Sequence, residues 1–241
     1  MRDALPTAFA PTDARCDGVV LLHGIGVGSW SLKRLDRALQ RRGFATLNLD
    51  YPSRKKPLEA LAEDIHGPIT TFAEQCDGAI HFVAHSMGGL LARVYIARHR
   101  PVRLGRVVML GTPNGGSEVA DLLKDLSIYR AVFGPAGLQL STAPGPVLVT
   151  LPPPDYAVGI IAGCRTIAPI ASTFVLPRPN DGRVSVESSK LADMADHIVV
   201  KASHTGLPRH TVAIEQTIAF LREGRFTSEG TAYGAVRRSC A

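Results

Sequence analysis

Short apolar runs alternate with longer amphipathic ones along most of this chain. The short runs are Gly18 to Leu22, Ala45 to Leu49, Ala79 to Ala84, Arg106 to Leu110, Val158 to Gly163 and His197 to Lys201. They are strand-length and rich in Val, Ile and Leu, which predicts buried strands. The longer runs carry apolar residues at steps of three and four, which predicts helices. One runs from Trp30 to about Arg42, with Leu32, Leu35 and Leu39 on one face, Ser29 as a cap and Gly43 as a stop. The next opens at Pro57 and continues to about Glu74 through Leu58, Leu61, Ile65, Ile69 and Phe72. Pro68 is expected to kink it or split it in two. Further helices are predicted over Leu90 to His99 and from about His210 to Glu223. Strands alternating with helices imply βαβ crossovers and a mostly parallel sheet with helices on both faces. Sites in such sheets form at the carboxyl ends of the strands.

Three stretches break the pattern. Residues 1–17 are irregular, with Pro6 and Pro11, and are expected to fray or drape over the surface. Residues 117–156 hold a predicted helix at Glu118 to Leu126 and a Pro-rich run from Pro144 to Pro154. This segment is too apolar for a disordered linker and reads equally as a lid or acyl pocket and as a packed surface insertion. The tail, residues 227–241, is expected to be flexible. The remainder, residues 18–226, reads as one domain.

Composition narrows the class. A chain of 241 residues, 45% hydrophobic and 20% charged, suffices for one α/β core. Mean hydropathy is +0.09, and no apolar run approaches membrane-spanning length. Met1 to Asp17 has no apolar stretch of the secretory type, so a cytoplasmic location is expected. Cys16, Cys76, Cys164 and Cys240 form no CxxC pair; they read as free thiols, with neither a metal nor a redox site. The net charge is +6, with a cluster at Lys33, Arg34, Arg37, Arg41, Arg42, Arg54, Lys55 and Lys56. Such a cluster attracts anionic lipid, an acidic substrate or nucleic acid, but it reads first as a solvated helix face and its nearby loop. No nucleic-acid motif accompanies it, so no nucleic-acid partner is expected.

Candidate chemistry centres on Ala84-His85-Ser86-Met87-Gly88-Gly89, between a predicted strand and a predicted helix. A serine at a tight strand-to-helix turn with small residues two before and two after has the form of a nucleophile elbow, here with Ala84 for the first glycine. The plain alternative is a serine capping a helix. A serine hydroxyl needs a base, and the base an orienting acid. His204 follows the last predicted strand and is the first choice for the base, with His210 the runner-up. His99 points away on the elbow helix, and His197 lies at the wrong end of its strand. For the acid, Asp181 sits in Asn180-Asp181-Gly182 after the penultimate strand, where an ordinary turn aspartate fits equally well. Asp155, Asp193 and Asp196 are weaker rivals. An oxyanion needs N–H donors. The Met87 N–H should be one, and the Ile25 N–H, in the turn His23-Gly24-Ile25, the other. His23 and Gly24 are expected to border the substrate. His85 reads as a packing or supporting residue rather than a base. Gly24, Gly26 and Gly28 also suggest a dinucleotide fingerprint, but Ser29 stands where its last glycine belongs.

With these residues in view, the chain resembles the α/β-hydrolase superfamily, and within it the small bacterial lipases and esterases. The likeness rests on His23-Gly24-Ile25, Ala84 to Gly89, Gly111-Thr112-Pro113-Asn114, Asp181-Gly182 and Ser203-His204-Thr205, and covers residues 18 to about 224. The resemblance implies a minimal α/β-hydrolase fold with six strands. It also implies Ser86 as nucleophile, Asp181 as acid, His204 as base, and an oxyanion hole from Ile25 and Met87. The expected activity is hydrolysis of a carboxylic ester through an acyl-enzyme, with no metal or cofactor. The expected partner is a small-molecule ester or a lipid, and transient contact with a lipid surface is allowed. An acyltransferase or thioesterase on the same triad, and a non-catalytic binding protein with a vestigial site, are the alternatives.

Overall fold

Each of the six apolar runs forms a strand in the computed structural model, which describes residues 16–116, 134–140, 151–166 and 176–227. The strands are β1 (Gly18–Leu22), β2 (Ala45–Leu49), β3 (Ile80–His85), β4 (Leu104–Leu110), β5 (Val158–Gly163) and β6 (Asp196–Val200). They make one six-stranded sheet in the order β2-β1-β3-β4-β5-β6. Every neighbouring pair is parallel. The helices are α1 (Lys33–Gln40), α2 (Leu58–Glu74), α3 (Met87–His99) and α4 (Thr211–Glu223).

Alternation along the strands sorts side chains between two cores, because successive residues face opposite sides. Val20 and Leu22, Phe82 and Ala84, and Val107 and Met109 join the cluster under α2 and α3. Val19 and Leu21, Val83, and Val108 and Leu110 join the cluster that holds Leu35 and Leu39 of α1 and Ile218 and Phe220 of α4. Both faces are covered, as a parallel sheet requires.

The boundaries differ from the pattern in instructive ways. The predicted helix at Trp30 opens as a 3-10 turn, Ser29–Leu32, before α1. Ser29 does not cap it: Asp50 accepts from the Ser29 N–H and hydroxyl, both at 2.7 Å. Helix α2 runs through Pro68 unbroken. Proline removes the N–H that would reach the Asp64 carbonyl, but both residues are exposed, so water can take that carbonyl's place in the ladder. Helix α3 begins at Met87, directly after Ser86, rather than at Leu90. A one-turn helix, Val186–Ser189, and a 3-10 turn, His204–Arg209, are too short to leave a periodic signal.

Of the insertion, residues 134–140 and 151–156 are described; the helix expected at Glu118 to Leu126 lies outside the described residues. The first of these pieces is packed down. Ala136 and Leu140 join the core, and Gln139 accepts from the Leu58 N–H at 2.8 Å, satisfying an open donor at the start of α2. Residues 1–15 and the tail from 228 also lie outside the described residues. Cys16 and Cys76 are free thiols, as expected. Cys164 corrects the expectation: it is disulfide-bonded. A pairing made by the fold between residues without a local spacing motif leaves no sequence signal.

Candidate active site

The strand order reverses between β1 and β3: the chain leaves β1 to one side for β2, then returns to the other side for β3. The crevice beyond the carboxyl ends at such a switch point is open to a ligand. The turn after β1 carries His23, Gly24 and Ile25, and the turn after β3 carries Ser86. Asp181 lies in the connection from β5 to β6, and His204 opens the 3-10 turn after β6. All these residues therefore stand on one rim of the sheet.

Ser86 has φ 56° and ψ −128°, a conformation that side-chain-bearing residues rarely adopt. It is held there from both ends. Its N–H donates to the Leu110 carbonyl at 2.9 Å, and its own carbonyl accepts from the Gly89 N–H at 3.0 Å. The Thr112 hydroxyl donates to the same carbonyl at 3.0 Å. The small residues around it are steric necessities. A Cβ on Gly88 would stand 2.4 Å from the Leu22 carbonyl oxygen, and one on Gly89 2.1 Å from Thr112 Oγ1. A Cβ on Gly24 would be 3.2 Å from that of Ser86, so the β1 turn lies directly against the serine.

Three side chains from distant parts of the chain form one hydrogen-bonded line. His204 Nε2 is 2.9 Å from Ser86 Oγ, and His204 Nδ1 is 2.8 Å from Asp181 Oδ2. The other Asp181 oxygen accepts from the Arg183 and Val184 N–H groups at 2.9 and 2.8 Å. The His204 N–H donates to the Asp181 carbonyl at 3.0 Å, tying the two loops by backbone as well. Ser86, Asp181 and His204 are all buried. None of the rivals joins the line. Asp155 pairs with Arg100 at 2.6 Å, and Asp196 accepts from the His197 and Phe226 N–H groups. Asp193 makes no contact with His204 among the described residues. His210 occupies the N-cap position of α4 with no side-chain capping bond, and among the described residues it hydrogen-bonds neither Ser86 nor Asp181.

Two N–H groups near this line have no acceptor among the described residues. The Met87 N–H is in the first turn of α3, where a helix has no internal acceptor and its dipole favours negative charge. Neither it nor the Ile25 N–H donates to a described residue. The side chain of His23, in contrast, does not border the cleft. It is fully buried, stacked on Tyr51 at 4.0 Å, with the Tyr51 hydroxyl donating to its carbonyl. It supports the turn from behind, and burial pushes its pKa down. His85 donates from Nε2 to the His204 carbonyl at 2.9 Å, while its Nδ1 has no hydrogen-bond partner among the described residues. Burial holds its pKa well below the usual value, so the ring is neutral.

Sequence reasoning assigned no role to Gly111 or Thr112. Gly111 has φ 58°, and a Cβ there would come 3.1 Å from Asp181 Oδ2 and 3.3 Å from His204 Nδ1. The visible signal was the glycine ending an apolar strand before Thr112-Pro113. Among the described residues, no group of three or more His, Cys, Asp or Glu side chains is arranged to hold a metal ion.

Known proteins share this architecture. A family model described as "Alpha/beta hydrolase family" matches residues 19–219. The mature lipase BlEst2 of Bacillus licheniformis superposes with a TM-score of 0.65 at 18% identity, over 91% of this chain and 96% of that one. Phospholipase PlaB of Legionella pneumophila superposes at 0.64 with 14% identity, over 94% of this chain and 63% of that one. The thioesterase RedJ of the Streptomyces coelicolor prodiginine pathway superposes at 0.54 with 15% identity, over 93% and 91%. At such identities a likeness speaks for the fold alone, whereas the family match spans most of the sequence. The chain belongs to the alpha/beta hydrolase family.

Proposed function

We propose that the protein is a serine hydrolase of carboxylic esters, an esterase or lipase acting through Ser86, His204 and Asp181. The observation that carries this reading is the unbroken line Asp181 Oδ2, His204 Nδ1, His204 Nε2, Ser86 Oγ, with both links under 3 Å. Ser86 Oγ attacks the ester carbonyl carbon while His204 Nε2 takes its proton. Asp181, fixed by two backbone N–H donors, keeps the Nδ1 proton in place and stabilises the imidazolium that forms. The negative oxygen of the tetrahedral intermediate sits between the Met87 and Ile25 N–H groups, whose lack of other acceptors supports this role. His204 returns the proton to the leaving alcohol. Water, deprotonated by the same imidazole, then releases the carboxylic acid and restores Ser86.

A fluorophosphonate probe tests the nucleophile. The wild-type protein labels at Ser86, and Ser86→Ala does not. His204→Ala and His210→Ala separate the two candidate bases on p-nitrophenyl esters of increasing chain length. The first is expected to lower kcat by about 10⁴-fold or more and the second little. Full turnover by His204→Ala, or labelling at another serine, defeats the proposal.

A further inference from the structure

Away from this site, helix α1 presents an unusual outer face. Leu32, Leu35 and Leu39 point into the core, and Lys33, Arg34 and Arg37 are exposed on the other side, with Arg41 just beyond the helix end. Steps of three and four place them in one stripe, about 16 Å long from Trp30 to Arg41. Trp30, at the head of the stripe, is 62% exposed and is the only tryptophan in the chain. Arg209, from the 3-10 turn that His204 opens, joins them around one shallow depression.

These five cations have no carboxylate partner among the described residues; Arg34 donates to the Thr211 hydroxyl at 3.3 Å. Asp36, the carboxylate of α1, accepts from Gln40 of the same helix and from Thr46 and Asn48 of β2. Glu215 of α4 is exposed beside Arg34 and Arg41 but makes no ion pair with either. Lys33, Arg37 and Arg41 repeat at intervals of four, a like-charge spacing that weakens a helix. The helix dipole favours Arg37 and Arg41 at the C-terminal end but disfavours Lys33 and Arg34 in the first turn, so stability does not account for the whole stripe, whereas an external anion does.

We propose that this face docks the protein on a lipid surface bearing anionic headgroups. The five cations meet headgroup phosphates, and the Trp30 indole seats in the interfacial layer, where an amphipathic ring with one N–H is at home. The stripe holds one aromatic, at one end, rather than the succession of stacking platforms that single-stranded nucleic acid uses. Its position adds an argument. Trp30 lies over Gly28, in the turn that also carries Ile25, and α1 packs against the 3-10 turn that begins at His204. The docking face thus borders the rim of the site. Only this last link rests on the ester-hydrolase reading, since docking itself needs no turnover.

The test uses the full chain as Ser86→Ala, with vesicles of phosphatidylcholine alone or mixed with phosphatidylglycerol. The protein is expected to co-sediment with the mixed vesicles, to be released by added salt, and to leave pure phosphatidylcholine unbound. Because Trp30 is the sole indole, a blue shift of emission on binding reports on this face alone. Arg34→Glu with Arg37→Glu, exposed changes that leave the core intact, should weaken partitioning at least about tenfold. Any of four results overturns the proposal: no binding, equal binding to both vesicles, binding with unchanged emission, or preference for single-stranded DNA over the mixed vesicles. A failed catalytic reading would show instead in the fluorophosphonate experiment and leave these results unaffected.

Discussion

Ser86 is held in a backbone conformation that any Cβ makes costly, at about 1–3 kcal/mol. Its three tethers, to Leu110, Gly89 and Thr112, keep it there. A comparison of two inactive variants isolates that strain, since Ser86→Ala and Ser86→Gly both lose the hydroxyl. At ordinary positions glycine is the less stable of the pair, by about 0.5–1 kcal/mol. At Ser86 the order should invert, with Ser86→Gly more stable by about 1 kcal/mol in urea unfolding. The usual order would mean that the turn relaxes when the hydroxyl is removed. Ser86 and His204 were legible in the sequence because each stands at a punctuated strand end. Asp181 was legible only as one of several aspartates, because a turn aspartate and an orienting acid have the same local sequence. Gly111 and Thr112 stood out only as part of a strand-end stretch shared with the family, and their roles were not legible, since what they touch lies many residues away. His23 was assigned to the cleft from its position in the turn, and its burial against Tyr51 depends on β2, which the turn itself does not encode.

At the scale of elements, periodicity found every strand, and every helix longer than two turns, among the described residues, because each buries one stripe or one face. It failed at the ends. Helix α3 starts three residues early because Met87, Gly88 and Gly89, which look like a loop, must be helical for the turn to close on β1. Pro68 was read as a break, yet α2 tolerates it on its exposed side. Tolerance is not neutrality. A proline inside a helix costs about 3 kcal/mol, offset by up to about 1 kcal/mol through restriction of the unfolded chain. Pro68→Ala should therefore stabilise the fold by about 2 kcal/mol, raising the thermal midpoint by several degrees with ester turnover unchanged. No gain would mean that α2 is already distorted to suit the ring.

Across the whole molecule, three deeply buried histidines contribute to the response to mild acid. His23, His81 and His85 are each at most 5% exposed, and burial is the leading cause that lowers the pKa of each. In the unfolded chain each titrates near 6.5. Below that value the unfolded state binds protons that the folded state refuses, so stability is full above about pH 6.5 and falls as pH drops through it. The loss is at most about 1.4 kcal/mol per pH unit for each histidine. Urea midpoints should decline as pH falls from about 6.5 toward 5, and His81→Gln should flatten the decline; a level profile would show that these rings find protons in the fold. The architecture was readable from the alternation of strands and helices, whereas the order of strands was not, because pairing is decided by the two covered faces rather than by neighbours in sequence. That order has a consequence for how the molecule is made. No pair of neighbouring strands is a hairpin: the shortest closure runs from β3 to β4, and the longest joins β1 to β3 around all of β2 and α2. Each pairing must close a long loop before it is rewarded, which makes such sheets slow to assemble and exposes their apolar strands meanwhile. Strand β6 and the His204 turn leave the ribosome after the other five strands, so a nascent chain carries an open sheet edge at β5 until nearly the whole domain has been synthesised.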